Sequence, residues 1–353
     1  MKKAVSSLAI LAAGALFLSA CGTGANNAEK TEKPAAEAKT VTVLAYDSLE
    51  FEDDLKAEFE KETGFKLDIQ QIGSGGELTN KLVLTKDNPL GDVAFGVDNI
   101  SAYRAVKEGV FAEKAAEVSE AEKAQQISDA PALVPFNQSD VCVNADPAWF
   151  KAKNLEMPKT LDDLKDPKYK DLLVAMNPTS SSPGLAFFMA TVAKYEDGWK
   201  DYWMALKDNG LKVTKGWSDA FGTDFSAGEG KGDRPLMVSY SSSPAYAVNE
   251  ALTESAIANL PETCFHQVEY VGVLNGAKNV AGAEAFVKFM QKASTQEVFV
   301  ANNYVHPINP DVKLPEALAR FGMLSEKPFT LDPMKIDENQ AQWLAEWSEL
   351  IAK

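Results

Sequence analysis

Leu236-Met237-Val238-Ser239-Tyr240-Ser241-Ser242-Ser243-Pro244-Ala245-Tyr246 reads as an apolar strand that ends in hydroxyls and rings and turns into a helix. The helical pattern is expected from Tyr246 to Leu252. A strand feeding a helix N-terminus is the repeating unit of a parallel α/β sheet. The groups beyond the carboxyl ends of such strands are where these sheets hold small molecules. Upstream, Thr214-Lys215-Gly216-Trp217-Ser218 succeeds a short strand, Leu211 to Val213, in the same way. Together the two segments point to a flat ligand held by rings and hydroxyls, with cations among the candidates.

Working outward, the alternation continues in both directions. Strands are predicted at Thr40 to Ala45, Leu67 to Ile72, Val93 to Val97, Leu172 to Met176 and Val268 to Val273. Phe51, Leu55 and Phe59 recur at helical spacing up to Gly64, and helices are expected at Leu78 to Leu84, Ile100 to Val110, Ala283 to Ala293 and Gln340 to Ile351. Another helix opens at Ser182-Pro183, with Ser182 as its cap and Pro183 in its first position, and one more is expected over Ser218 to Phe225. This pattern predicts a parallel-rich α/β fold, and its length exceeds one ordinary domain, so two lobes with a cleft are expected. The predicted bounds are 40–138 and 268–353 for a first lobe, which carries the C-terminal helices, and 139–267 for a second.

Lys2 and Lys3 followed by the apolar run Leu8 to Leu18 read as an export signal over 1–20. Leu18-Ser19-Ala20-Cys21 resembles a bacterial lipobox, which implies cleavage before Cys21 and lipidation of its thiol. Residues 21–39, rich in Ala, Lys, Glu and Asn, read as a flexible tether. The remaining cysteines, Cys142 and Cys264, are expected to pair in an exported protein, two buried free thiols being the alternative. The net charge of −16 makes nucleic acid an unsuitable partner. With two histidines and no ligand spacing of the zinc kind, no metal site is expected, and neither a nucleophile elbow nor a phosphate-cradling nucleotide loop is present. Gly73-Ser74-Gly75-Gly76 is glycine-rich but lacks the lysine and spacing of such a loop.

The residues just beyond each predicted strand supply the candidate site. They are Tyr46-Asp47-Ser48, Ser74-Gly75-Gly76 and Asp98-Asn99 from the first part of the chain. From the middle come Thr179 to Ser182, Lys215-Gly216-Trp217 and Tyr240 to Pro244. Any one of these is compatible with an ordinary cap or core residue; their coincidence at equivalent positions marks a cleft.

These motifs carry a family resemblance. Tyr46-Asp47-Ser48, Gly96-Val97-Asp98-Asn99, Val134-Pro135-Phe136, Ser181 to Leu185, Val213 to Ser218, Ser239 to Tyr246 and the late Gln342-Trp343 and Glu346-Trp347 resemble the thiamine-binding proteins of bacterial ABC importers. The resemblance implies a two-lobed periplasmic-binding-protein fold (type II-like), with the ligand in the interlobe cleft. It also implies an extracytoplasmic, lipid-anchored, monomeric receptor that needs no cofactor and hands thiamine or its phosphate esters to ABC permease subunits. By position it implies Tyr46 and Tyr304 as rings on either side of the aminopyrimidine, Tyr304 standing where a tryptophan is usual. Ser74 and Gly75 stand where the family has an acidic residue and Gly. Ser181 and Ser182 would take the hydroxyethyl or phosphate end, and Trp217 and Tyr240 would line the second lobe. Ser241, Ser242, Ser243 and Pro244 would hydrogen-bond the ligand's far end, and Tyr246 closes the same motif. Asp47 or Asp98 would accept from the exocyclic amine, strand-end capping being the alternative for both.

Two rivals stand against this. A same-fold binder of ferric ion, a polyamine or an aminophosphonate lacks the expected residues: there is no Tyr-Tyr pair, and only Asp47 and Asp98 stand out as strand-end carboxylates. An enzyme of thiamine salvage needs a nucleophile or a metal cluster, for which Cys142 and Cys264 are the sole candidates.

Overall fold

The computed structural model describes residues 39–114, 116–127 and 130–352. The export signal, the Cys21 lipidation site and, apart from Lys39, the tether lie outside the described residues. In chain order the elements are β1 (Thr40–Ala45), α1 (Asp53–Thr63), β2 (Lys66–Gln71), α2 (Gly75–Leu84), β3 (Val93–Asp98), α3 (Ala102–Lys107), α4 (Glu120–Ala124), β4 (Leu133–Ala145), α5 (Pro147–Ala152), β5 (Leu173–Met176), α6 (Ser182–Tyr195), α7 (Trp199–Asp208), β6 (Lys212–Thr214), α8 (Trp217–Asp219), β7 (Leu236–Tyr240), α9 (Ser243–Tyr246), β8 (Ala258–Val273), α10 (Val280–Met290), α11 (Ala293–Asn303), β9 (His306–Pro307), α12 (Glu316–Phe321) and α13 (Pro333–Ala352).

The strands order as β2-β1-β3-β8-β4-β7-β5-β6, with β9 on β4. The flanks, β2-β1-β3 and β7-β5-β6, are parallel as predicted. The centre is not: β8 pairs antiparallel with β3 and with β4, and β4 with β7. The sheet is therefore mixed rather than parallel-rich, because two long strands join the α/β units. The sequence pattern does not announce β4 as a strand. Pro135, Asn137, Gln138, Ser139 and Asp140 break its apolar run, yet almost all of β4 is buried. A strand buried on both faces loses the polar–apolar alternation by which strands are recognised.

Each flank has its own core. On β1, Val41, Val43 and Ala45 join a cluster with Phe59, Phe95 and Phe286, while Leu44 faces the opposite way onto Leu78, Leu82 and Val97. The other flank is organised by α6, whose residues from Ser182 to Val192 are all buried. Phe188 meets Trp199 edge-on at 4.9 Å, and Phe187 meets Trp203 at 5.7 Å. Each such phenylalanine contributes about 2 kcal/mol of burial. The helix is capped by Ser181, whose hydroxyl accepts from Gly184 N at 3.4 Å. The cap thus sits one residue before the predicted Ser182. The expected helix from Tyr246 to Leu252 is absent; α9 ends at Tyr246, and the Asn249 side chain instead turns the chain by accepting from Thr253 N at 2.9 Å. Asn and Thr here satisfy backbone groups locally, which competes with helix.

The C-terminal helix departs from the expected grouping. The sequence places 268–353 with the first lobe, but α13 buries Trp347 edge-on against Trp203 of α7 at 5.4 Å. Its N-terminal turn reaches back to α3 through Lys107 and Asp337, 2.9 Å apart. Cys142 on β4 and Cys264 on β8 form a disulfide that ties the two long strands, closing a sequence separation of 122 residues. It sits where the β4–β8 register slips, between the pairs Val141–Phe265 and Val143–Leu260.

Candidate functional site

The strand ends of both flanks surround one cavity of about 290 Å³. One wall is aromatic. Trp217 stacks on Phe221 with centroids 4.7 Å apart and planes 10° from parallel. The two rings stand four residues apart where α8 opens into a π-helical turn, Ala220–Asp224, a backbone irregularity that often marks a site. Phe221 meets Tyr246 edge-on at 5.8 Å, and Tyr246 meets Tyr304 at 5.5 Å. Tyr240 closes this wall at 6.4 Å from Trp217. The indole N–H donates to Ser239 Oγ at 2.8 Å, which in turn lies 2.9 Å from Ser243 Oγ. With one face on Phe221 and its N–H engaged, the indole is fixed in place where it lines the cavity.

The polar part of the lining comes from the middle of the long strands: Asn137 and Ser139 of β4, and Gln267 and Glu269 of β8. None of these stands out in the sequence. Glu269 Oε2 accepts from Asn137 Nδ2 at 3.0 Å and from the Tyr46 hydroxyl at 3.4 Å. Burial pushes the Glu269 carboxyl up to about 7; the Asn137 and Tyr46 hydrogen bonds act against this, while the nearby Asp98 charge adds to it. Tyr46, from the end of β1, is itself pushed well above the usual phenol range by burial and by Glu269. Its ring lies directly on Gly96. A Cβ at Gly96 would sit 2.3 Å from the ring, and φ there is +91°, at the point where the β3–β8 register slips. The only signal for Glu269 is one carboxylate inside the otherwise apolar strand Val268 to Val273.

A second, much smaller cavity of about 20 Å³ adjoins the first, beside Asp47, Ser74, Gly75, Ser181 and Ser182. Here the two flanks touch. Ser74 Oγ donates to the Ser180 carbonyl, and Lys215 pairs with Glu77 at 2.8 Å, holding the Glu77 carboxyl below its usual range. Gly75 and Gly76 permit this approach, since a Cβ on either would lie 2.8 Å from Ser182 Oγ or 2.6 Å from the Ser180 backbone. That closeness accounts for the glycine-rich run that matches no nucleotide loop. Asp47 stands exposed at the mouth, its carboxyl raised by partial burial against opposing backbone hydrogen bonds.

The structure thus brings Tyr46, Trp217, Tyr240, Ser242, Ser243, Tyr246 and Tyr304 onto the main cavity, and Asp47, Ser74, Gly75, Ser181 and Ser182 onto the small one. Four predicted residues line neither. Asp98 is 1% exposed and saturated by Ser182 Oγ, Gln267 Nε2 at 3.0 Å and Ser101 N at 2.8 Å. Asn99 clips β8 through Val268 N at 3.1 Å and the His266 carbonyl at 3.3 Å. Ser241 bonds the Asp140 backbone through both its N–H and its hydroxyl. Pro244 is buried, its carbonyl accepting from Ser255 Oγ at 2.6 Å. For Asp98 and Asn99 the strand-end capping role is the one observed.

The sequence profile of the bacterial extracellular solute-binding proteins matches residues 54–322. The chain belongs to this family. The solute-binding protein is 29% identical over 327 residues to the thiamine-binding periplasmic protein of Salmonella typhimurium, covering 91% of this chain and 96% of that one. It is 30% identical over 329 residues to the thiamine-binding periplasmic protein of Brucella suis, covering 89% and 93%. Among solved structures, a periplasmic thiamin binding protein superposes with a TM-score of 0.78 at 25% identity, over 89% of this chain and 96% of that one. The two-lobed α/β fold is that of periplasmic binding proteins, which are extracytoplasmic and act by binding rather than catalysis.

The chemistry of this solute-binding protein's cavity comes from its lining. Rings supply quadrupole faces, Glu269 supplies one half-buried carboxyl, and the exposed Glu50 and Glu229 stand at the mouth. Among the described residues, no Lys, Arg or His lines either cavity. Cys142 and Cys264, the candidate nucleophiles, are joined to each other.

Proposed function

We propose that this chain is the thiamine receptor of an ABC importer, held to the cell membrane by a lipid on Cys21 and acting as a monomer that delivers the vitamin to its permease subunits. The observation that carries the reading is an aromatic wall, Trp217-Phe221-Tyr246-Tyr304, on the same cavity as the half-buried Glu269 carboxyl. Thiamine is two flat rings joined by a methylene, and its thiazolium bears one fixed positive charge. Each ring face that meets such a cation contributes about 0.5–2 kcal/mol, more as water is excluded. The thiamine-binding relatives support the same ligand.

Closure results if segments 40–138 and 268–332 move as one body against 139–267 with α13, because rings from one and Tyr46 and Tyr304 from the other then meet the ligand together. Of the vitamin and its esters, the free vitamin is the ligand we assign. The small cavity between the N-termini of α2 and α6 is where an ester phosphate would lie, and it is both narrow and bordered by Asp47. Calorimetry with thiamine and with its monophosphate tests the reading. Micromolar or tighter binding of thiamine, with quenching of tryptophan fluorescence, supports it; a flat titration at micromolar ligand overturns it. Labelling with a radioactive fatty acid, lost in a Cys21→Ser chain, tests the anchor.

A further inference from the structure

Among the described residues, Glu269 is the acidic side chain that burial raises furthest while it lines a cavity. Its Oε2 is held by Asn137 and Tyr46, its Oε1 takes no donor from the described residues, and the residue lines both cavities where they adjoin. The groups around it come from every neighbouring element: Tyr46 beyond β1, Asp98 of β3, Asn137 and Ser139 of β4, Tyr240 of β7 and Gln267 of β8. Asp47, Glu50 and Glu229 lie further out. Among these no cation is present to balance a carboxylate. Asp98 is already saturated by protein donors, so its charge repels that of Glu269 without being free to bind a ligand.

We infer that Glu269 is the specificity-determining counter-charge of the site, the group that meets the fixed positive charge of a cationic ligand and exchanges a proton with bulk water as it does so. The inference rests on the thiamine reading and adds to it a residue, a charge rule and a proton. The empty site keeps the carboxyl protonated because burial and Asp98 disfavour its charge, raising it to about 7. A fixed positive charge beside it reverses that balance, typically by one to three pH units. Binding then draws on the ionised fraction, so affinity falls as pH drops below 7, by at most about tenfold per unit and by about one to three decades in all, and levels off above 8.

The test is calorimetry of the full chain with thiamine between pH 6 and 8.5, at each pH in two buffers of different ionisation enthalpy. The expected result is release of more than about half a proton per ligand at pH 6.5 and almost none at pH 8.5. Glu269→Gln removes the release, flattens the pH profile and lowers affinity at pH 8 by at least about tenfold. Glu269→Asp retains a proton release with weaker affinity. The vitamin's neutral aminopyrimidine alcohol, used as a second probe, loses far less between wild type and Glu269→Gln. Thiamine binding without proton release at pH 6.5, or a Glu269→Gln chain that keeps the wild-type pH slope, overturns the inference. If Glu269→Gln fails to fold, the proton release of the wild-type protein decides alone. Absence of any thiamine binding overturns the functional reading instead.

Discussion

The two walls of the cavity are built on different principles. The aromatic wall comes from chain that has just left a strand: Trp217 after β6, and Tyr240 and Tyr246 around the end of β7. Its rings hold one another, Trp217 lying flat on Phe221 and Tyr246 standing edge-on to Tyr304. The polar wall comes from the interior of β4 and β8, where Asn137 and Glu269 are held by the sheet itself. The first wall offers area and polarisability. The second offers one ionisable group in a fixed place. Selectivity for a flat cation needs both, and the two are separable by mutation.

The largest effect is expected where the walls meet. Gly96→Ala forces a methyl into the Tyr46 ring at a positive φ, so the protein should lose about 2–4 kcal/mol of stability, read by denaturant unfolding, and Tyr46 should leave Glu269. Unchanged stability would show that Tyr46 is not held there. Next comes the aromatic wall itself. Trp217→Ala removes the stacked indole and loosens Phe221, and thiamine affinity should fall at least about tenfold by calorimetry, with no change in its pH dependence. If the pH profile shifts as well, the walls are not independent.

Asn137→Ala acts on the polar wall alone. It removes the hydrogen bond that favours the ionised Glu269, so the carboxyl rises further. The sign is that of a raised carboxylate. Its protonated form is favoured in the folded state, so this group's contribution to stability is present at low pH and is lost as pH rises from the ordinary carboxyl range through the folded value. In Asn137→Ala that loss, and the midpoint of the affinity profile, both move to higher pH, with affinity near pH 7 down about threefold. The smallest effect belongs to Lys215→Ala. The Lys215–Glu77 pair joins the flanks but is solvent-exposed, and affinity should change less than about threefold.

The same contrast explains which parts of the molecule are legible in the amino-acid sequence. Strand ends advertise themselves, since a run such as Val238-Ser239-Tyr240 breaks from apolar to polar at one place. Hence the flanking strands, Trp217, Tyr240 and Tyr246 of the aromatic wall, and the serines of the small cavity are visible in the residues alone, whereas Tyr304 enters only through the resemblance and Phe221 not at all. The role of a strand-end polar group is not: Asp98 reads the same whether it meets a ligand or, as observed, Ser101, Ser182 and Gln267. The central strands are hidden for the opposite reason. Burial on both faces removes their alternation, and register slips beside Pro135 and Asn137 on β4 and beside Gly96 on β3 change which way side chains point. Glu269 and Asn137 meet only because of that pairing, which no local window contains.

The bond between Cys142 and Cys264 has a mechanical consequence. Their Cα atoms are 4.0 Å apart, so the two connecting strands cannot slide along each other at that level. A jaw movement of the halves must instead flex the ribbon to one side of the rivet, along 133–141 and 265–273, and there lie Asn137, Ser139, Gln267 and Glu269. If the halves hinge as proposed, Asn137 and Glu269 lie on the bending ribbon itself, where displacement is smallest, and the rings lie off it, Trp217, Phe221 and Tyr246 on one half and Tyr46 and Tyr304 on the other.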